Sequence, residues 1–261
     1  MQLITLSTDW GYTDHYIGAV KARLYSTIEN CQVIDITHNI NKFDYSAAGF
    51  VISNSCLNFP KGTIHIIDVD CMDDSGKQHI LVEWNEQYFI CTDNGIPYLV
   101  FSEFEDYKIY GLEVLYDSNY YTFTALNFFC QVALDLSMKR PIEEISFPLK
   151  DFENKYKRFK PILNIGYLSC TVFYVDSYGN AFLNIKCNEF LEKVGNKTFS
   201  LEIDKTKINK LSFSYKDVHE NRPLLTVSST GYLQIAISKG NAAQLLSLDI
   251  GTSVKFEIRD K

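Results

Sequence analysis

Residues Gln2 to Thr8 are apolar and β-branched, and they stop at Asp9-Trp10-Gly11-Tyr12-Thr13-Asp14, a run of turn formers. Beyond that loop Ile17, Val20, Leu24 and Ile28 recur at helical spacing, which predicts a helix with Asp14 as its N-cap. Gln32 to Thr37 then reads as a second strand, Ser46 to Phe59 as a second helix that stops before Pro60, and Gly62 to Val69 as a third strand. Strands alternating with helices require a mainly parallel sheet covered on both faces. Such sheets hold their ligands at the carboxyl ends of the strands. Ile80 to Trp84 and Gln87 to Cys91 read as a hairpin over Asn85-Glu86, and Leu126 to Leu136 as a third apolar-faced helix.

The charged stretch Asp151 to Pro161 (DFENKYKRFKP) has the composition of a connection between domains, which predicts an N-terminal α/β domain over 1–155 and a second domain over 162–261. In the second, Leu163 to Val175, Ala181 to Ile185, Thr198 to Ile203, Leu211 to Tyr215, Leu224 to Ser228, Tyr232 to Ser238 and Ser253 to Ile258 are short β-prone runs separated by Gly, Asn and Lys turns. One short helix is expected near Ala242 to Leu248, so this half is a small β domain.

Composition narrows the partners. Acidic residues outnumber basic ones 32 to 25, for a net charge of −7, which argues against a surface built for nucleic acid. The seven cysteines are widely spaced with no CxxC pair, so neither a disulfide framework nor a zinc site is expected. The N-terminus has no basic region ahead of an apolar run, and no apolar run reaches the roughly 18 residues of a membrane span. A soluble cytoplasmic protein that does not engage membranes is the expectation.

Carboxylates collect at the strand ends: Asp9 and Asp14 after the first, Asp44 after the second, Asp70, Asp73 and Asp74 after the third, and Asp93 after the hairpin. Taken singly, each fits an Asx-turn or a helix cap. Together they would line one crevice with acid, which suits a cation, a hydroxyl-rich ligand or a hard metal ion, although no fixed ligand spacing points to a metal. Asp93-Asn94-Gly95 reads as a turn. Val175-Asp176-Ser177-Tyr178-Gly179-Asn180 places an acid, an aromatic and an amide together; it reads equally as a hairpin turn and as a reader of an adenine edge. Ser228-Ser229-Thr230-Gly231 is a hydroxyl-rich turn of the same kind. Of the five histidines none lies in a GxSxG or Cys/His context, His65 reads as a core residue, and no phosphate-binding glycine loop is present.

Taken in order, the segments ITLSTDWGYTDHYIGAVKARL, VIDITHNINKFDYSAAGFVI, FPKGTIHIIDVD, FICTDNGI, TFTALNFFCQVA, YVDSYGNAFLNI and SSTGYLQIAISKGNAAQLL resemble the S-adenosylmethionine (SAM) hydroxide adenosyltransferases. These adenosine-forming SAM hydrolases are related to SAM-dependent chlorinases and fluorinases. The resemblance spans Ile4 to about Val254. It implies an N-terminal α/β domain, a C-terminal β-barrel, and a homotrimer with sites between subunits. SAM is then the substrate, and no cofactor is implied.

By the same resemblance Asp9 matches the acid that holds the ribose hydroxyls, Asp14 a polar group near the methionine end, and Phe43 an aromatic that packs on the nucleoside. Asp176 matches the acid facing the methionine ammonium, Tyr178 and Asn180 the residues beside and reading the adenine, and Ser229 a serine on the methionine part. Asp70 falls at the family's catalytic Asp, Lys77 at its Arg and Thr124 at its His. The implied reaction is attack of water or hydroxide at the ribose C5′ with methionine leaving. The alternatives are a SAM- or adenosine-binding protein without turnover and a SAM-dependent halogenase.

Overall fold

The computed structural model describes residues 1–71, 76–113, 122–156, 158–203 and 206–260. It divides into two compact units, Met1–Lys157 and Arg158–Lys261. The first unit contains β1 (Gln2–Thr8), α1 (Tyr16–Thr27), β2 (Cys31–Thr37), α2 (Tyr45–Ser55), β3 (Ile64–Asp68), β4 (His79–Trp84), β5 (Gln87–Thr92), α3 (Ile96–Phe101), β6 (Lys108–Leu112), α4 (Cys130–Ser137) and β7 (Ser146–Leu149). Its seven strands lie in the order β2-β1-β3-β5-β4-β6-β7. The pairs β2-β1, β1-β3 and β3-β5 are parallel, and the sheet continues antiparallel through β4, β6 and β7.

Side-chain alternation sorts each strand between two cores. Ile4 and Leu6 of β1, Ile64 and Ile66 of β3, Leu81 of β4 and Ile90 of β5 face α1 and the segment around α4, where Val20, Leu24, Phe129 and Ala133 are buried. Ile67, Ile80, Val82, Phe89 and Cys91 turn to the other face, beneath Ala48 and Ile52 of α2 and Val100 and Phe101 of α3. Helices therefore cover both faces, as the alternating sequence pattern requires.

Helix starts differ from the sequence expectation in two places. Asp14 does not cap α1; His15 occupies the cap position in a helical conformation without a side-chain bond, because the chain has already turned into the helix when it reaches that residue. Helix α2 starts one residue before the expected Ser46, its cap Asp44 accepting from the Ala47 N–H at 2.9 Å, and it ends at Ser55 in a 3₁₀ turn over Cys56–Asn58. The sequence reading also missed α3, whose start is Gly95 in the left-handed conformation (φ 100) followed closely by Pro97. Both residues look like turn punctuation, and both also suit a helix N-terminus.

One polar chain crosses the interior. The Thr5 hydroxyl lies 2.7 Å from His65 Nδ1, His65 Nε2 lies 2.8 Å from Gln87 Oε1, and Gln87 Nε2 donates to the Phe59 carbonyl at 3.0 Å. Burial pushes the His65 imidazole down to about 4, so it is neutral at physiological pH. With the Gln87 carbonyl oxygen accepting from Nε2–H, Nδ1 is the acceptor for Thr5. His65 stacks on Phe89 at 4.4 Å and is a satisfied core residue, as expected.

The second unit contains β8 (Ile162–Asn164), β9 (Tyr167–Val175), β10 (Ala181–Lys186), α5 (Cys187–Val194), β11 (Thr198–Ile203), β12 (Thr206–Ile208), β13 (Leu211–Ser212), β14 (Pro223–Val227), β15 (Tyr232–Ile237), α6 (Ala242–Leu245) and β16 (Ser253–Arg259). Its path runs β12-β11-β16-β9-β10-β15-β14-β13, with β8 on β9. Because β12 also packs beside β14, the sheet curls round on itself. Leu168, Val172, Leu183, Phe190, Leu233, Ile235 and Phe256 fill its interior. The single expected run from Leu163 to Val175 is a hairpin, since Gly166 adopts φ 79 between β8 and β9. Helix α5 is a further element absent from the sequence reading.

Thr5→Val would leave His65 Nδ1 buried without a donor. It should lower the unfolding free energy by about 1–3 kcal/mol, read from urea denaturation; an unchanged midpoint would show that the hydroxyl adds nothing.

Candidate active site

The parallel register brings the C-terminal ends of β1, β2, β3 and β5 to one edge, with Thr8 beside Asp68 and Ser7 beside Thr37. The loops after these strands carry Asp9, Phe43, Asp70 and Asp93. Asp9 is raised above its ordinary value, chiefly by burial and further by the charge of Asp70, while the backbone N–H of Asp70 and the Lys42 ammonium oppose the shift. Asp9 thus interacts with Asp70 and with Asp68.

Asp68 was not among the residues singled out from sequence. It ends an apolar strand, on the face shared with Ile64 and Ile66, and its Oδ2 accepts from the Ala125 N–H at 3.1 Å. That N–H opens the π-helical turn Ala125–Phe129 leading into α4, the type of helix irregularity that recurs at functional sites. Burial foremost, then the charge of Asp9, pushes the Asp68 carboxyl up to about 7. The signal available in the sequence was an acid at an otherwise apolar strand position.

Asp70 has a left-handed backbone (φ 50). Asn94 holds it by donating Nδ2 to the carbonyls of Val69 (2.8 Å) and Asp70 (3.2 Å), and Asn94 Oδ1 accepts from the Ile96 N–H at the start of α3. The Asp-Asn-Gly turn is therefore a brace for the site loop. Lys77 Nζ lies 3.5 Å from Asp70 Oδ2, and the Tyr45 hydroxyl donates to the same oxygen. Tyr45 was also missed from sequence. Thr124, 3% exposed, donates its hydroxyl to the Cys71 carbonyl at 2.8 Å, which fastens the same loop from the other side. Asp14 and Phe43 are exposed on neighbouring loops of this edge. Asp73 and Asp74 lie outside the described residues. Among the described residues no three His, Cys, Asp or Glu side chains are grouped as metal ligands.

The loop after β1 is packed by rings. Trp10 stacks on His38 at 5.9 Å and meets Phe123 edge-on at 5.2 Å, and Tyr12 stands edge-on to His38 at 5.3 Å. His38 is fully buried; its Nδ1 lies 2.7 Å from the Thr8 hydroxyl and its Nε2 3.2 Å from Asp35, which pairs with Lys21. An aromatic wall thus adjoins the acids.

In the second unit a cleft of about 580 Å³ is lined by Tyr178, Asn180, Tyr215, Ile237, Lys239, Gly240 and Asn241. Asp176 turns inward: its Oδ1 accepts from the backbone N–H groups of Tyr178 (3.0 Å) and Asn180 (2.8 Å), and its Oδ2 from Asn180 Nδ2 (2.8 Å). Asn180 is left with Oδ1 to face a donor, while the Tyr178 ring is 79% exposed beside it. Gly179 (φ 79) packs so closely that a Cβ there would stand 2.2 Å from the Asn241 side chain. Ser229 does not join this group. The β10-β15 ladder pairs Ala181 with Ile235 and Lys186 with Tyr232, so Ser229 lies beyond the Tyr232 end and Asp176 beyond the other.

Residues 4–146 match the SAM hydroxide adenosyltransferase N-terminal domain, and residues 170–255 match the C-terminal domain of the same family. The chain belongs to this family. Curated relatives of this SAM hydroxide adenosyltransferase family member include two proteins named (R)-S-adenosyl-L-methionine hydrolase. The one from Methanocaldococcus jannaschii is 25% identical over 264 residues, covering 95% of this chain and 93% of that protein. The one from Salinispora tropica is 22% identical, covering 97% and 96%. Among solved structures, an uncharacterized conserved protein from Thermotoga maritima is 28% identical with a TM-score of 0.87 over 98% of this chain and 99% of its own. A conserved hypothetical protein from Thermus thermophilus, 19% identical, shares the fold with a TM-score of 0.73 over 99% and 100% of the two chains.

Two measurements follow from this family member's geometry. Between 3.8 and about 7 the native Asp68 holds a proton that the unfolded chain has lost, so its contribution to stability falls as pH rises through that window. Asp68→Asn keeps an acceptor for Ala125 and cannot ionise. Its stability relative to wild type should climb across that window and level off above it, by on the order of 4 kcal/mol; parallel pH profiles in thermal melts would contradict the shift. Gly179→Ala meets both a left-handed backbone and the Asn241 side chain, and should lower stability by about 1–3 kcal/mol; a neutral melting temperature would disprove the clash.

Proposed function

We propose that this chain hydrolyses SAM to adenosine and L-methionine. The observation that carries the reading is the convergence of Asp9, Asp68 and Asp70 on one sheet edge, in a chain whose two halves match the two domains of the SAM hydroxide adenosyltransferases. SAM presents a sulfonium and an ammonium, and both are complements to a partly buried acidic edge. In this reading Asp9 receives the ribose hydroxyls and Asp14 and Phe43 border the ligand, while, from a neighbouring subunit of the trimer, Asp176 faces the methionine ammonium and Tyr178 and Asn180 receive the adenine. Ser229, at the opposite end of the β10-β15 ladder from Asp176, is assigned no contact with the methionine part.

In the reaction the C5′–S bond breaks with its electron pair going to sulfur, the C5′–O bond forms, and the water loses a proton. Asp70 and Lys77 hold the water in line. Thr124 contributes no base, because its hydroxyl is committed to the Cys71 carbonyl and does not ionise near neutrality. The proton passes to a carboxylate of this edge or to solvent. Charge is annihilated as the cation meets the developing hydroxide, and a poorly hydrated site favours that step.

Purified protein incubated with SAM should release adenosine and methionine in equal amounts, and Asp70→Ala should slow release by about 10²-fold or more. Adenosine no faster than without protein would sink the proposal; 5′-chloro-5′-deoxyadenosine in excess chloride would replace it with halogenation. The homotrimer belongs to the same proposal, and light scattering that returned a monomer would remove it.

A further inference from the structure

Asp70 is held through both its backbone and its side chain. Its backbone is left-handed, its carbonyl is held by Asn94, and its N–H is turned to Asp9. Its side chain meets two donors, the Tyr45 hydroxyl and Lys77 Nζ, and both engage Oδ2. A carboxylate held by one oxygen cannot exchange its oxygens by rotation without losing both bonds, so among the described residues Oδ1 is the acceptor left for another group.

Tyr45 is placed for this by local structure. Phe43 adopts a left-handed turn (φ 65), Asp44 caps the helix, and Tyr45 is the first residue of α2. Behind it, Tyr156 packs edge-on against the ring at 5.6 Å. Tyr156 is itself seated against Gly95, where an added Cβ would stand 3.2 Å from it. Asp93 secures the chain just ahead of Tyr156, its Oδ2 accepting from the Glu153 N–H at 2.7 Å and its carbonyl from Asn154 Nδ2 at 2.6 Å. The phenol is thus fixed from the back by the segment that leaves the first unit, with its hydroxyl aimed at Asp70.

We propose that Tyr45 is a positioning residue for hydrolysis: its hydroxyl, with Lys77, locks Asp70 Oδ2 so that Oδ1 presents to the attacking water. The role rests on the reading of this edge as a SAM-hydrolysing centre. It answers a chemical need that Thr124 cannot meet, because a water without a neighbouring histidine must be oriented by acceptors whose own direction is fixed. No proton passes through Tyr45, and its hydroxyl remains a donor throughout.

Tyr45→Phe keeps the ring and its packing on Tyr156 and removes one hydrogen bond. Adenosine release should fall about ten- to a hundredfold in kcat, the scale of one bond to a charged group, with KM for SAM within twofold and a cooperative melting transition retained. In an Asp70→Ala background the same substitution should add no further loss, because the group it positions is gone. Independently of turnover, ¹³C-tyrosine NMR should find the Tyr45 phenol ionising near 12 in wild type and lower in Asp70→Asn. An active wild type with an equally active Tyr45→Phe variant, losses that simply multiply in the double variant, or a phenol indifferent to Asp70 would each overturn the role of Tyr45. An inactive wild type would overturn the hydrolase reading itself, and the positioning role with it.

Discussion

Acidic side chains taken out of water are costly to ionise, the more so when they lie near one another, and the edge of the first unit is organised around that cost. Asp9 is raised by burial and by Asp70, and Asp68 by burial and by Asp9. What offsets it comes from every neighbouring element: the Ala125 N–H at the turn leading into α4, the Asp70 N–H, Lys42 after β2, Tyr45 at the start of α2, and Lys77 ahead of β4. Remove the donors and the edge could hold its acids only by protonating them. A cationic ligand would do the same work from outside, which is why an acidic edge of this kind and a sulfonium substrate suit each other.

The supports of the loop after β3 reach it from three directions and share one character. Asn94, Thr124 and Tyr45 each spend a side-chain donor on it, two on backbone carbonyls and one on a carboxylate. Such bonds convert a left-handed Asp70 from a local strain into a fixed feature. The second unit shows the same economy, where Asp176 gathers the turn that carries Tyr178 and Asn180, and Asn241 both caps α6 and closes on Gly179.

Much of this was readable in the chain itself. The alternation of strand and helix through β3, the hairpin of β4 and β5, and the β-rich second half follow from side-chain periodicity, because the period reports which faces are buried. Asp9 and Asp70 were legible as strand-end acids. Asp68 was not, since an acid inside an apolar strand declares nothing about its partner until α4 is laid against it. Helix α3 was hidden by Gly95 and Pro97, residues that end one element and begin another with equal ease. Asp14 was misread as a cap because the turn entering α1 is already helical at His15.

The sequence by itself determined the family, the alternation of strand and helix through β3 and the acids Asp9 and Asp70 beyond their strands, because these depend on local spacing and on ordered motifs along the chain. Which groups meet was decided only by tertiary structure. Parallel pairing set Thr8 beside Asp68, the packing of α2 brought Tyr45 onto Asp70, and the β10-β15 register separated Ser229 from Asp176. Contacts between residues distant along the chain depend on register and on helix placement, and a one-residue change in either would point the same side chains elsewhere.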